Sequence, residues 1–259
     1  MAKATQLTTG STGTHPLHPV PGREEELSAK LDKLTKEMNE FTYIVSHDLQ
    51  APLRTVTGFL ELLEKRHGDK LDASAKQYID YAIKGAGKMK DLVFDLLEYS
   101  RLSSGVIEFT SVDLNGILEE VKEKVAATIS ETGAIITTDA LPVVLADKKQ
   151  MLQFFLHLLE NALKFRRERT DIHMTAKQEK GKWVIGIKDK GIGIDAAYAE
   201  KIFIIFRRLN TDEVKYPGTG SGLAICKKIM EIHNGHIWVE SEVNTGSTFW
   251  FTLPEGKSN

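Results

Sequence analysis

From Arg23 onward, apolar residues fall at Leu27, Leu31, Leu34, Met38, Phe41 and Val45, separated alternately by four and three positions. That rhythm is a coiled-coil seam: it keeps one apolar stripe on one side of a helix, and a single helix cannot bury such a stripe alone. The helical pattern runs past Pro52 through Phe59, Leu60 and Leu63, then stops at the polar, glycine-containing stretch 67–70, where a turn is predicted. Ser74 and Gln77 have the spacing of a capping box. Behind them Tyr78, Ile79, Ala82, Ile83, Ala86, Met89, Val93, Leu96 and Leu97 repeat at helical intervals. A helical hairpin follows, and two hairpins from two chains would close a four-helix bundle that buries both stripes.

Past Ser103, Ser104 and Gly105 the pattern changes in kind. Helical stretches at about 113–131 and 148–166 mix with alternating, strand-like runs at 182–189, 235–241 and 248–253. The fold class read from this is α+β in two domains: a coiled-coil lead-in and helical hairpin over 23–104, then a sheet with helices over 105–259. Residues 1–22 lack periodicity and read as a flexible leader or a remnant of expression.

Composition narrows the function without naming it. Lys and Arg total 34 against 36 Asp and Glu, a net charge of -2 that argues against a broad surface for nucleic acid. No apolar run approaches the roughly 20 residues of a transmembrane segment. The single cysteine, Cys226, cannot form an internal disulfide, which suits a reducing, cytoplasmic setting.

Three constellations carry candidate chemistry. In DKGIGI, Asp189, Gly191 and Gly193 follow a strand whose alternation places Trp183, Ile185 and Ile187 on the same face as Asp189. The carboxylate thus ends an apolar row and needs a donor, for which the exocyclic amine of adenine would serve. Taken alone it better fits a carboxylate solvated at a strand end or capping a turn. In GTGSGLAI, residues 218–225, a glycine-rich turn leads into an amphipathic helix, and backbone N–H groups at a helix start attract phosphate. Upstream, Glu160, Asn161 and Lys164 share a helix face, where an Asn oxygen can hold magnesium and a Lys can meet a phosphate.

The order and spacing of these pieces resemble a GHKL-type ATPase domain of the sensor histidine kinases. HLLENALKF (157–165) looks like the N box, DKGIGI the G1 box, IFIIFRRL (202–209) the F box and GTGSGLAI the G2 box. In the helical half, SHDLQAPLR (46–54) resembles the H box, with wording close to that of phytochrome-type members. The resemblance spans about 24–254. It implies a GHKL α/β sandwich, helices on one face of a mixed sheet, binding ATP and Mg2+. It implies that Asn161 binds magnesium, Lys164 and Arg208 approach the phosphates and Asp189 bonds the adenine amine. Gly191, Gly193, Gly218, Gly220, Gly222 and Leu223 would shape the cavity, with a lid over 209–219. His47 would be the phosphoacceptor, Asp48 its general base, and the partners a second copy of the chain and a response regulator receiver domain. His47 lies off the row of Phe41, Val45 and Leu49, so its ring is expected in solvent, and Pro52 removes an N–H that Asp48 would otherwise receive. Two positions depart from the family pattern. His157 stands where the N box commonly opens with Asn, which keeps a nucleotide-binding pseudokinase scaffold as the alternative. Ala51 stands where a Thr or Asn often positions water, which implies weak phosphatase action.

Overall fold

The computed structural model describes residues 23–102, 106–167, 171–210, 212 and 214–255. The leader 1–22, the linker residues 103–105 and the side chain of Leu27 lie outside the described residues. Compactness divides the chain between Met38 and Asn39. In the first unit, residues 23–38 are helical, with Lys30–Glu26 and Lys33–Glu37 pairs one turn apart and Leu31, Leu34 and Met38 exposed.

In the second unit helix α1, whose bounds are Arg23–His67, continues through Pro52, and a 3-10 turn at Gly68–Lys70 leads to α2, Ala73–Arg101. The cap of α2 differs from the expected one. Asp72, not Ser74, closes the helix start, its side chain accepting from the Ala75 N–H at 2.7 Å, so Ser74 falls inside the first turn. A carboxylate at that position satisfies an orphan donor and favours the positive end of the helix dipole. Phe41, Ile44, Leu49, Val56 and Phe59 on α1 and Tyr78, Met89 and Phe94 on α2 stay exposed.

The remainder is β1 (Thr110–Asp113), α3 (Leu114–Lys124), α4 (Ala126–Thr132), β2 (Ile135–Thr138), β3 (Val143–Ala146), α5 (Lys148–Lys164), β4 (Asp171–Glu179), β5 (Lys182–Asp189), α6 (Gly222–Ile232), β6 (His236–Glu242) and β7 (Gly246–Pro254). The sheet order is β2-β4-β5-β7-β6, parallel between β2 and β4 and antiparallel elsewhere; β1 and β3 form a separate antiparallel pair. The helical stretch expected over 113–131 breaks at Val125, whose non-helical ψ of 14° ends α3 and whose buried side chain anchors the joint. Asp113 and Asp147 cap α3 and α5 through the N–H groups of Asn115 and Gln150.

The core lies where one sheet face meets the helices. Ile172, Met174, Ile185, Ile187, Phe251 and Leu253 alternate inward and pack with Leu118, Phe154, Phe155, Leu159 and Ile229. Phe154 and Phe155 both meet Phe251 edge to face, at 4.7 and 5.9 Å. On the opposite face Trp250 covers Gly186, where any Cβ would come within 2.5 Å of the indole. Cys226 is fully buried; its Sγ donates to the Phe154 carbonyl at 3.7 Å, and burial pushes the thiol above its ordinary range.

His233, at the end of α6, accepts the Asp147 N–H at Nε2 (3.0 Å) and donates from Nδ1 to the Ile229 carbonyl (2.8 Å). Burial lowers its pKa, against the Ile229 bond and the Asp147 charge, which act in the opposite sense. A proton on Nε2 would face an N–H donor. The unfolded chain binds that proton more readily than the folded one, so this group's stabilisation is complete above about pH 6.5 and is lost as pH falls through the folded value. Urea unfolding at pH 7.5 and 5.5 should show a larger loss on acidification for the wild type than for His233→Gln; equal losses would assign the pH dependence elsewhere.

Candidate functional site

The site is assembled where three chain reversals meet beside the end of α5. β5 delivers Asp189 to the sheet's end, opposite Ser247 of β7. The Asp189 Oδ1 accepts from the N–H groups of Gly191 (2.7 Å) and Ser247 (3.3 Å), so neither of these bonds uses Oδ2. Burial pushes this carboxyl above the usual carboxylate range, opposed by the Gly191 and Ser247 N–H groups. The turn after Asp189 is fixed from both sides. The Ile192 N–H donates to the Phe165 carbonyl at the end of α5, and the Ile192 carbonyl accepts from Asn244 in the β6–β7 turn.

Gly193 has φ of 71°, and a Cβ there would sit 2.0 Å from the Glu242 carbonyl oxygen. Gly193→Ala should therefore cost the left-handed strain, about 1–2 kcal/mol, plus an overpacking cost of about 1–3 kcal/mol. Gly133, with φ of 62° but nothing within 4 Å, separates the two contributions. In urea unfolding Gly133→Ala should lose only the strain, and equal losses at both sites would show that the close approach is not what Gly193 serves.

A cavity of about 670 Å3 opens between these turns and α5, within the range of small-molecule sites. Among the expected residues, Asn161, Lys164, Asp189, Gly193, Arg208, Gly218, Gly220, Gly222 and Leu223 line it. Gly191 does not line it and acts through its N–H on Asp189. His47 and Asp48 are not among the lining residues; they lie on α1, 71% and 74% exposed in their side chains, with His47 Nδ1 3.2 Å from Asp48 Oδ1.

The lining is chemically mixed: Asp189 and apolar Ile194, Ile202 and Phe249 all contribute to it. Lys164 and Arg208 stand near the glycine-rich turn: Lys164 Nζ lies 3.4 Å from where a Cβ of Gly218 would be. Burial lowers the Lys164 pKa, with Arg208 adding to the shift and Glu160 opposing it. An anion entering beside Lys164 would favour its charged form and offset the repulsion from Arg208.

Several lining residues were not singled out from the sequence. Tyr216 is buried and stacks on Phe165 at 5.1 Å, its carbonyl accepting from Arg208 at 2.8 Å, so the expected lid segment carries an aromatic wall. Asp95, Thr219 and Ser221 form a second unanticipated group. His157, flagged as a departure, packs its ring against Gly222; its Nε2 is buried with no hydrogen-bond partner, and burial lowers its pKa.

A helix-backed mixed sheet with a strand-end carboxylate, a glycine-rich turn before a helix and a cationic flank, carried behind a helical hairpin, defines a GHKL-type ATP-binding domain joined to a phosphoacceptor-type hairpin. Residues 146–257 match the histidine kinase-, DNA gyrase B- and HSP90-like ATPase family, and residues 37–105 match the His Kinase A (phospho-acceptor) domain. Cyanobacterial phytochrome A of Nostoc sp. is 43% identical over 232 residues, 89% of this chain and 30% of that protein. Full-length ShkA in complex with AMPPNP superposes with a TM-score of 0.63 at 30% identity, over 85% of this chain and 46% of that one. ThkA in complex with the response regulator protein TrrA gives 0.59 at 26% identity, over 92% of this chain and 68% of that one. The chain spans about a third of the length of the phytochromes it matches. It belongs to the sensor histidine kinase family. No helix among the described residues is long and apolar enough to cross a membrane.

Proposed function

We propose that this chain is the catalytic core of a protein-histidine kinase, which moves the γ-phosphate of ATP onto His47 and from there to an Asp of a response regulator receiver domain. The observation that carries the reading is the presence, in one chain, of a cavity lined by Asp189, Lys164, Arg208 and a glycine-rich turn and of a solvent-facing imidazole beside a carboxylate. Asp189 accepts the adenine amine, while Lys164, Arg208 and the turn at Gly218, Gly220 and Gly222 receive the phosphates. Leu223 closes the wall beside them. Asn161 supplies an oxygen to Mg2+.

With Nδ1–H donating to Asp48, the Nε2 lone pair of His47 is free to attack the γ-phosphorus. The bond from that phosphorus to the bridging oxygen breaks, ADP leaves, and the ring proton passes to Asp48 as the phosphoramidate forms. Most of the barrier is met by positioning and charge neutralisation.

A homodimer through the helical hairpins is part of the proposal. The exposed seam residues Leu31, Leu34, Met38 and Phe41 support it: covering one such apolar side chain contributes about 1.5–3 kcal/mol, so these four from each of two chains offset an association cost of about 4–15 kcal/mol. The residue boundaries 23–104 and 105–259 and a cytoplasmic setting belong to the same reading. The second reading, a nucleotide-binding pseudokinase scaffold, is favoured by His157, a half-buried imidazole whose Nε2 is enclosed without a hydrogen-bond partner at the opening of the N box. Incubation with γ-labelled ATP and magnesium decides between them. Acid-labile, alkali-stable label supports the kinase, and nucleotide binding without label supports the scaffold.

A further inference from the structure

Asp95 belongs to α2 in the helical hairpin, yet it lines the cavity of the ATP-type half. Its Oδ2 accepts hydrogen bonds from the hydroxyls of Thr219 and Ser221, the latter at 2.5 Å. Both hydroxyls stand in the glycine-rich turn that opens α6, a helix of 11 residues. Hydroxyls beside the first N–H groups of such a helix make an anion-seeking place, and Lys164 flanks the same turn. A carboxylate from a distant part of the chain already fills it. The Asp95 charge acts on the cavity too, opposing the burial that lowers the His157 pKa.

We infer that Asp95 is an internal stand-in for a phosphate: it holds the hairpin to the turn before α6, and the phosphates of ATP displace it. Nucleotide binding and release of the hairpin from the ATP-binding half are then one equilibrium. A triphosphate and a carboxylate compete for the same two hydroxyl donors, and both are anions. Because the coupling is reciprocal, ATP weakens the Asp95 contact by the factor by which that contact weakens ATP binding, and loosening the contact raises ATP affinity. The substrate would thereby free the half that must carry it to His47. This inference rests on the nucleotide reading of the cavity.

The test is calorimetric titration of the full chain with ATP plus magnesium, and separately with adenosine, for wild type, Asp95→Asn and Asp95→Ala. Asn keeps the shape and removes the charge; Ala removes both, so one variant serves if the other folds poorly. ATP should bind about 5- to 20-fold more tightly to the variants, while adenosine, which has no phosphate to compete, should bind all three alike. Unchanged or weaker ATP binding in the variants, or an equal gain for adenosine, would overturn the phosphate competition and leave the cavity reading intact. Failure of wild type to bind either ligand would overturn both.

Discussion

With His47 replaced by Gln, γ-labelled ATP and magnesium leave no acid-labile phosphate on the chain, while ATP binds as it does to wild type. The side chain of His47 is 71% exposed and lies on α1, outside the residues that line the cavity, so its loss would remove the proposed acceptor without touching the proposed nucleotide site. The effect is all or none because Gln has no nucleophilic ring nitrogen. Asp48→Asn should be graded instead. It keeps a hydrogen-bonding oxygen for Nδ1 but cannot accept the proton, and loss of general base assistance slows transfer by about 10²- to 10⁴-fold. Label surviving in His47→Gln would move the acceptor elsewhere and remove the ground for the proposed mechanism.

Asp189→Asn should weaken ATP binding by about 5- to 150-fold, the effect of leaving a buried polar partner facing the wrong group, about 1–3 kcal/mol. The Asn oxygen can still take the Gly191 and Ser247 N–H groups that Asp189 Oδ1 takes now. Its amide nitrogen then replaces the second oxygen and meets the adenine amine donor to donor. Folding should change little, since the bonds holding the turn survive, so unfolding in urea and ATP affinity separate the two roles. An affinity equal to wild type would show that Asp189 supports the turn and does not read the base.

The strand ending at Asp189 was legible residue by residue because β5 runs for eight residues with apolar Trp183, Ile185 and Ile187 on one face, enough for period two to show. β1, β2 and β3 are four residues each, too short for any period, and β4 ends in the polar run Lys177, Gln178 and Glu179, which masks its inward Ile172 and Met174. The cap of α2 was misplaced by two residues because Ser74 with Gln77 and Asp72 alone are both valid starts. What selects Asp72 is which carboxylate reaches the Ala75 N–H.

For the site, local motifs sufficed wherever the residues sit in one turn, as with Gly218, Gly220 and Gly222. They failed where residues distant in sequence converge: Asp95 and Thr219 are 124 positions apart. His157 could be singled out by motif position, but the contact with Gly222 that explains its burial exists only once α5 and α6 are packed.

Cys226 gives the molecule a practical property. Its sulfur is enclosed by the core, and the raised thiol pKa leaves almost no thiolate at neutral pH, the form that alkylating reagents attack. The native chain is thus a silent background for site-directed labelling. A maleimide dye or nitroxide offered to the folded protein would go only to a cysteine introduced by design, for instance one on α2 and one on β4. Distances between such pairs could then be followed as nucleotide is added, with no native thiol to remove beforehand.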